Sequence, residues 1–146
     1  MPREKSCGAV VFANGQEVKY LLLHYEAGHW DFVKGNVERD ESEEDTVRRE
    51  LREETGIVRA TFVRDFKEKI SYFYRRHGAT INKEVVFFLI QAHESEVRLS
   101  YEHVGYEWLS YESALARLTF NTAKKVLKRA HKSLARQSSA KSAQEP

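Results

Sequence analysis

Cysteine and long apolar runs are scarce in this sequence, and each shortage excludes a class of protein. Cys7 is the only cysteine among the 146 residues, so the chain forms neither an internal disulfide nor a thiolate cage for a metal ion. No apolar run approaches the length of a membrane-spanning helix, and the first residues, MPREKS, lack the hydrophobic region of a signal peptide. We therefore expect a cytoplasmic protein, with Cys7 buried in the apolar run CGAVVF.

Acidic residues are concentrated in one segment, residues 35–57. This segment holds nine acidic and four basic residues, whereas residues 58–91 hold three acidic and seven basic ones and residues 120–146 hold one acidic and seven basic ones. Like charges one helical turn apart repel, so the segment is either a solvated helix surface or a site for cations. The basic flanks fit a polyanionic ligand held through metal ions, or they serve only solubility.

The first half of the chain has clear local signals for secondary structure. Residues 6–12 and 18–25 have the composition of strands, and the turn signal NGQ between them predicts a hairpin. A helix is expected to begin at Ser42 or Glu43, to continue to Thr55 and to be ended by Gly56. Strands and a long central helix are therefore mixed along the chain.

The second half continues this mixture. Residues 57–75 alternate as a long strand or a bent pair of strands, residues 83–92 form the most apolar strand, and helices are expected after Ser110 and near Asn121. The fold class is accordingly α+β, an α/β/α sandwich with a mixed central sheet. We expect a single domain over residues 1–136, a monomer, and a disordered tail over residues 137–146.

Three carboxylates are predicted to share one face of the central helix. At 100° per residue, Glu50, Glu53 and Glu54 fall within about one third of the helix circumference, beside an apolar stripe that includes Leu51. Hard cations such as Mg²⁺ or Mn²⁺ prefer oxygen ligands of this kind. Arg49, one turn before Glu53, can pair with a carboxylate and fix its rotamer. An ordinary surface helix rich in glutamate and arginine remains the alternative.

The loop before this helix completes a family motif. Lys34 and Gly35 precede the helix, and a glycine there allows the backbone to approach a ligand closely. The motif is Gly35, five residues, Glu41, seven residues, Arg49-Glu50-Leu51, one residue, Glu53-Glu54, one residue and Gly56-Ile57. In this pattern the segment resembles the Nudix box, with all nine specified positions matched.

The resemblance implies a metal-dependent hydrolase that cleaves a pyrophosphate bond in a nucleoside diphosphate linked to another group. The cofactor would be Mg²⁺, or alternatively Mn²⁺. In such enzymes Glu53 and Glu54 would bind metal, Glu50 would be a ligand or the general base, and the Gly35 carbonyl would be a further ligand. Arg49 would orient the glutamates and belongs to the catalytic set. Glu41 would have a structural or outer-sphere role.

Segments outside the box resemble the asymmetric diadenosine tetraphosphate hydrolases within that family. These segments are HWDFVKGNVE, FKEKISY, KEVVFFL and LSYEHVGYEWLS. The resemblance implies that Glu102 is a metal ligand or the base, and that the substrate-binding residues are Lys34, Tyr72, Lys83, His103 and Phe120. Tyr72 and Phe120 would clamp an adenine, and Lys83 and His103 would contact phosphate. Val33 and Asn36 depart from the subfamily pattern, which has proline and histidine there.

The expected reaction is therefore asymmetric cleavage of diadenosine tetraphosphate to ATP and AMP, with a nucleotide as the partner and no membrane. Other substrates of the same chemistry stay open: RNA 5′-pyrophosphate, ADP-ribose, a diphosphoinositol polyphosphate or a damaged dNTP. The basic residues 120–136 keep RNA in particular under consideration. A nucleotide-sensing module without catalysis is the alternative from another class. Such modules usually lose glutamates of the box, and all of them are present here.

Overall fold

The structure is a computed structural model that describes residues 2–144. It contains eight strands and three helices in this part of the chain. The strands are β1 (Arg3–Ala13), β2 (Lys19–Tyr25), β3 (Trp30–Asp31), β4 (Val33–Asn36), β5 (Ala60–Phe62), β6 (Glu68–Arg76), β7 (Ala79–Ala92) and β8 (His103–Leu109). The helices are α1 (Glu43–Thr55), α2 (Tyr111–Arg117) and α3 (Asn121–Gln144).

The centre of the sheet is the parallel pair β1 and β7, in register from Arg3 opposite Asn82 to Phe12 opposite Gln91. The other edge of β1 is shared, because β4 pairs with its first half and β2 with its last two residues, both antiparallel. Strands β3 and β8 then pair with β2, and β5 and β6 pair with β7. The sheet is therefore mixed, as predicted, and the hairpin of β1 and β2 is confirmed.

Both faces of the sheet are buried, since successive side chains of a strand point to opposite faces. One apolar cluster holds Val10, Leu22 and Phe87 together with Leu118 and Leu127 from the α2 and α3 region. The other cluster lies on the opposite face. Neighbouring residues of the same strands form it together with two residues of α1: Cys7, Ala9, Leu21 and Val86 from the strands, and Val47 and Leu51 from the helix. The arrangement is the predicted α/β/α sandwich, and Cys7 is buried as expected.

Helix α1 has the bounds that its sequence predicts. The hydroxyl of Ser42 accepts a hydrogen bond from the Asp45 amide and the Asp45 carboxylate accepts one from the Ser42 amide, which is a capping box. Such a cap stabilises a helix by about 1 kcal/mol. At the other end Gly56 has φ 77°, a left-handed conformation that suits glycine, and its amide bonds to the Arg52 carbonyl. Both ends of the helix that carries Glu50, Glu53 and Glu54 are thus fixed locally.

The structure decides between two expected alternatives in one segment and differs from the sequence expectation in another. Residues 57–75 form the pair of strands that was one of the two alternatives, not a single long strand, and Asp65 takes φ 62° in the turn between them. Helix α3 continues to Gln144, so residues 137–144 of the expected disordered tail are helical, and residues 145–146 lie outside the described residues. The helix meets neither glycine nor proline before Pro146, so nothing in the sequence interrupts its hydrogen bonds. Within the described chain, no helix is long and apolar enough to cross a membrane.

Candidate active site

A cavity of about 710 Å³ lies where the end of α1 faces β4 and the turn at residues 100–103. Five carboxylates line it: that of Glu38 and the predicted set of Glu50, Glu53, Glu54 and Glu102. Its other lining residues include five groups that can donate hydrogen bonds to phosphate: Ser6, Lys34, Asn36, Arg49 and Lys83. The predicted carboxylates therefore meet at one site, and basic groups meet them there.

Gly35 allows α1 to approach the sheet at this site. Gly35 lies on β4, paired with Cys7 of β1, and a Cβ atom added to it would overlap with the carboxyl group of Glu50. Any side chain at residue 35 would displace Glu50 or the strand. The glycine of the motif is thus required by the contact between strand and helix, independently of any role for its carbonyl.

Arg49 joins the carboxylates of the motif. Its Nε donates to Glu41 Oε2 at 2.6 Å, and its Nη1 donates to Glu50 Oε1 at 2.6 Å and to Glu53 Oε2 at 3.2 Å. Its Nη2 donates to the backbone carbonyl of Asn36 at 2.9 Å. The hydrogen bond from Arg49 holds the pKa of Glu41 at about 2, and its acceptors raise the pKa of Arg49 itself. The predicted orienting role of Arg49 matches this geometry, with Glu41 as its anchor.

Glu54 is the most deeply buried carboxylate of the site. Burial raises its pKa to about 9, and the neighbouring carboxylates of Glu50 and Glu102 act in the same direction. Burial also raises the pKa of Glu50. Among the described residues, Oε2 of Glu54 is buried without a hydrogen-bond partner. Buried, mutually repelling carboxylates of this kind are stabilised by a cation placed among them.

The donor set fits a hard divalent cation, but the carboxylates are not gathered around one point. No three carboxylate, imidazole or thiolate groups in residues 2–144 converge closely enough to surround an ion. The reason is that Glu50 and Glu53 both form ion pairs with the guanidinium group of Arg49. Ligation by these glutamates therefore requires Glu53, whose side chain is about half exposed, to turn away from Arg49.

A second cavity of about 300 Å³ adjoins the first, and its lining is mainly apolar. Tyr72 and Phe120, the two predicted clamp residues, both line it, together with Ile70 and Phe87. Lys34 and Tyr72 line both cavities, so the two are neighbours at these side chains. The structure thus brings Tyr72 and Phe120 into one pocket although 48 residues separate them in the sequence.

Phe120 is held at this pocket by the segment that connects α2 to α3. The hydroxyl of Thr119 accepts a hydrogen bond from the Trp30 amide at 2.8 Å, and the Thr119 amide donates to the Trp30 carbonyl at 3.3 Å. The ring of His29 lies 5.5 Å from that of Phe120. The contacts with Trp30 and His29 therefore fix the position of the Phe120 side chain, although it is 44% exposed.

Lys83 lines the larger cavity, as predicted, and its ammonium group already has protein partners. It donates to Asn36 Oδ1 at 2.7 Å and to Glu4 Oε2 at 3.2 Å. The same amide oxygen of Asn36 accepts from the Ser6 hydroxyl at 2.8 Å. Asn36, which departs from the subfamily pattern, therefore positions the lysine. Lys34 is likewise paired, with Asp31 at 3.2 Å.

His103 is the one predicted substrate-binding residue that the structure does not place in either cavity. Its side chain is fully enclosed, between Ser100 Oγ at 3.0 Å from Nδ1 and Glu54 Oε1 at 4.0 Å from Nε2. Burial lowers its pKa. In this position His103 contacts a carboxylate of the site, and a direct contact with phosphate would need the ring to move. The sequence, in which a histidine follows Glu102, contains no local signal for this burial.

Sequence reasoning also missed several residues of the site, among them Glu4, Ser6, Asp31 and Tyr101. Glu4 and Ser6 precede the apolar part of β1, so only the parallel register with β7 reveals that they adjoin Lys83. Asp31 is buried and holds Lys34, a pairing three residues apart that the sequence could have suggested. Tyr101 lines the larger cavity beside Glu102.

Comparison with known proteins identifies the family of this chain. The family described as "NUDIX domain" matches residues 2–130. The mouse protein named bis(5′-nucleosyl)-tetraphosphatase [asymmetrical] is 32% identical over 143 residues, which cover 89% of this chain and 95% of the mouse protein. A crystal structure of a C. elegans Ap4A hydrolase binary complex superposes with a TM-score of 0.81 at 28% identity, covering 90% of this chain and 98% of that one. An RNA pyrophosphohydrolase from Hahella chejuensis is 29% identical over 117 residues, 70% of this chain and 73% of that protein.

Proposed function

The chain belongs to the Nudix family as a pyrophosphohydrolase, and from that premise we propose that it cleaves diadenosine tetraphosphate asymmetrically, to ATP and AMP, with Mg²⁺ as the metal. The family generally uses divalent metal ions. The proposal adds to this the substrate, the identity of the ion and the residues that carry out each part of the reaction.

The observation that carries the proposal is the adjacency of the two cavities, which share Lys34 and Tyr72 as lining residues. A dinucleoside polyphosphate needs an aromatic pocket for a purine and, beside it, a polar cavity for the phosphates. Lys34 and Tyr72 line both cavities, so a base between Tyr72 and Phe120 would be followed directly by phosphates facing Lys34 and Lys83. The carboxylates of Glu50, Glu53, Glu54 and Glu102 line the same cavity as Lys34 and Lys83, so the phosphates and the metal ions would share it.

The residues of this chain would divide the chemistry as follows. Glu53, Glu54 and Glu50, with the Gly35 carbonyl and Glu102, would hold the divalent ions, which lower the pKa of a water molecule and offset phosphate charge. Either Glu50 or Glu102 would accept the proton of the attacking water. Arg49 would keep Glu50 oriented through its 2.6 Å hydrogen bond. Lys34 and Lys83 would neutralise the phosphate oxygens as the pyrophosphate bond breaks.

Product analysis tests the proposed substrate. Wild-type protein is incubated with Mg²⁺ and diadenosine tetraphosphate, and in parallel with ADP-ribose, dNTPs and triphosphorylated RNA, and the products are separated by chromatography. We expect ATP and AMP from the dinucleotide, at the highest kcat/KM of the panel. Two molecules of ADP would contradict asymmetric cleavage, and turnover of another substrate alone would replace the proposed one.

RNA carrying a 5′-pyrophosphate is the second candidate substrate, and the charge of α3 favours it. Lys125, Lys128, Lys132 and Arg136 are exposed, recur every three or four residues and so form one stripe on the solvent side of the helix. The sequence has no acidic residue from Ser113 to Gln144. Such a stripe can follow the phosphates of a nucleic acid strand.

The salt dependence of binding separates this candidate from the first. A protein that neutralises several phosphates loses affinity steeply as salt rises, because counterions are released on binding. If RNA is the substrate, wild-type protein should bind a single-stranded 5′-triphosphorylated oligomer with a steep dependence on salt. The triple variant K125E/K128E/K132E should then bind weakly and show a shallower slope. If diadenosine tetraphosphate is the substrate, its KM should be unchanged in that variant.

A further inference from the structure

Tyr101 occupies an unusual position at the mouth of the larger cavity. It lines that cavity next to Ser100 and Glu102, yet 89% of its surface is exposed. An exposed aromatic side chain is common on protein surfaces and by itself indicates nothing. An exposed ring on the wall of a nucleotide cavity is different, because a base can stack on it without any rearrangement of the core.

The backbone at Tyr101 is held firmly. Tyr101 and Glu102 are the two central residues of a turn that the His103 amide closes by donating to the Ser100 carbonyl at 3.2 Å. The Ser100 hydroxyl is also 3.0 Å from Nδ1 of the buried His103, and the Glu102 carbonyl accepts a hydrogen bond from the Glu26 amide at 3.1 Å. The turn is thus held by the buried His103 on one side and by the segment after β2 on the other, and Tyr101 is one of its two central residues.

Within residues 2–144 the Tyr101 side chain has no structural partner. Its hydroxyl takes part in no hydrogen bond among these residues, and its ring packs against no other aromatic ring there. Tyr72, which lines the same cavity, contrasts with it, since Tyr72 packs against the apolar core and its ring centroid lies 6.4 Å from that of Tyr74. The fold therefore does not need the aromatic ring at residue 101 for packing.

The two cavities of the site also differ in the residues that line them. The apolar pocket of Tyr72 and Phe120 adjoins the larger cavity at Lys34, whereas Ser100, Tyr101 and Glu102 belong to the larger cavity alone. A dinucleoside polyphosphate carries two bases, and one pocket encloses only one of them. The second nucleoside, at the other end of the phosphate chain, must leave the cavity along an open part of its wall.

We propose that Tyr101 is the stacking platform for this second base, so that the site recognises both ends of a dinucleoside polyphosphate. This inference rests on the proposed function and adds a specificity-determining residue to it. Stacking on one exposed ring is tolerant of base identity, because every base has a flat π face. The platform would therefore favour substrates with a second nucleoside while discriminating little between purines at that end.

Kinetics with a pair of substrates test the platform. Diadenosine tetraphosphate is compared with adenosine 5′-tetraphosphate, which has the same phosphate chain and lacks the second nucleoside. Tyr101→Ala should raise the KM for the dinucleotide by about 5- to 50-fold, the scale of one lost base stack, with kcat within about twofold. The KM for adenosine 5′-tetraphosphate should stay unchanged. Tyr101→Trp should retain the wild-type KM for both substrates.

Tyr106→Ala is the matched control, because Tyr106 is also partly exposed, lies on β8 just beyond the turn and does not line the cavity. An equal rise in KM for both substrates would overturn the platform, since it would mean that Tyr101 supports the turn and Glu102. No change for either substrate would also overturn it. If wild-type protein neither binds nor cleaves the dinucleotide, both the proposed function and the role of Tyr101 are refuted. Wild-type cleavage without a Tyr101 effect refutes the platform alone.

Discussion

The carboxyl group of Glu50 occupies the space in which a side chain at Gly35 would stand. This contact joins the strand before the motif to the helix that carries its glutamates, and it explains why the first position of the motif tolerates only glycine. It also defines how close β4 and α1 can come, and thus the width of the larger cavity between them.

Gly35→Ala should therefore impair catalysis strongly. The added methyl group must push Glu50 away from Arg49 or separate β4 from α1, and a displacement of about 1 Å at a catalytic group costs on the order of 100-fold in rate. We expect kcat to fall by about that factor and the melting temperature to decrease. Gly15→Ala is the control, since its added Cβ would meet only an ordinary contact, 3.7 Å from the Glu17 carbonyl. Equal activity of the two variants would contradict the packing argument.

The aromatic pocket should act on substrate affinity rather than on the chemical step. Tyr72→Ala and Phe120→Ala each remove a ring from the pocket, and loss of one base stack costs about 1–3 kcal/mol. We expect KM to rise by about 5- to 100-fold while kcat changes little, as measured by steady-state kinetics. Phe73→Ala is the control, because Phe73 neighbours Tyr72 on β6 but is exposed and lines neither cavity. A fall in kcat without a change in KM would assign these rings to the core instead.

Thr119 gives a more indirect test of the same pocket. Thr119→Val removes the hydroxyl that accepts the hydrogen bond from the Trp30 amide, and so it loosens the segment that presents Phe120. We expect an increase in KM in the same direction as for Phe120→Ala and smaller in size. The double variant should lose little more than Phe120→Ala alone, because residues that act through one group are not additive. Fully additive losses would show that Thr119 acts elsewhere.

Glu41 should link stability to acid pH. Its pKa is about 2 in the folded protein, against an ordinary value of 4.5 for a glutamate, chiefly because of the hydrogen bond from Arg49. A folded pKa below the unfolded one means that the ionised carboxylate stabilises the fold above about pH 4.5 and loses that effect as pH falls toward 2. Wild-type protein should therefore exceed Glu41→Gln in melting temperature at pH 6, and the difference should shrink between pH 4.5 and 2. A difference independent of pH would exclude this linkage.

Local signals in the sequence predict α1 and the first hairpin well, and long-range pairing limits the rest. Ser42 and Gly56 define the ends of α1 within a few residues, and the spacing of the motif places its glutamates on one face. The hydrogen bond from Lys83 to Glu4 joins residues 79 positions apart. It depends on the parallel register of β1 and β7, which no local pattern specifies. The enclosure of His103 depends in the same way on packing against Glu54.

The carboxylates of the site also divide into what local sequence predicts and what depends on packing. The density of carboxylates in α1 could be predicted from the sequence, because it needs only helical spacing. Their difference in exposure could not be predicted. Glu54 is buried, whereas Glu53, one residue earlier, is about half exposed. That difference arises from which side of α1 meets the core, and burial on that side is what raises the pKa of Glu54.

The most direct test of the account is the turnover of diadenosine tetraphosphate in Mg²⁺ by Glu53→Gln and Glu54→Gln, compared with wild-type protein. Each substitution keeps the shape of the side chain and removes its charge, and we expect kcat to fall by at least about 100-fold in both. Glu44→Gln, an exposed position in the first turn of α1 outside both cavities, should retain wild-type activity. Near-normal turnover in both Glu53→Gln and Glu54→Gln would contradict the assignment of the site.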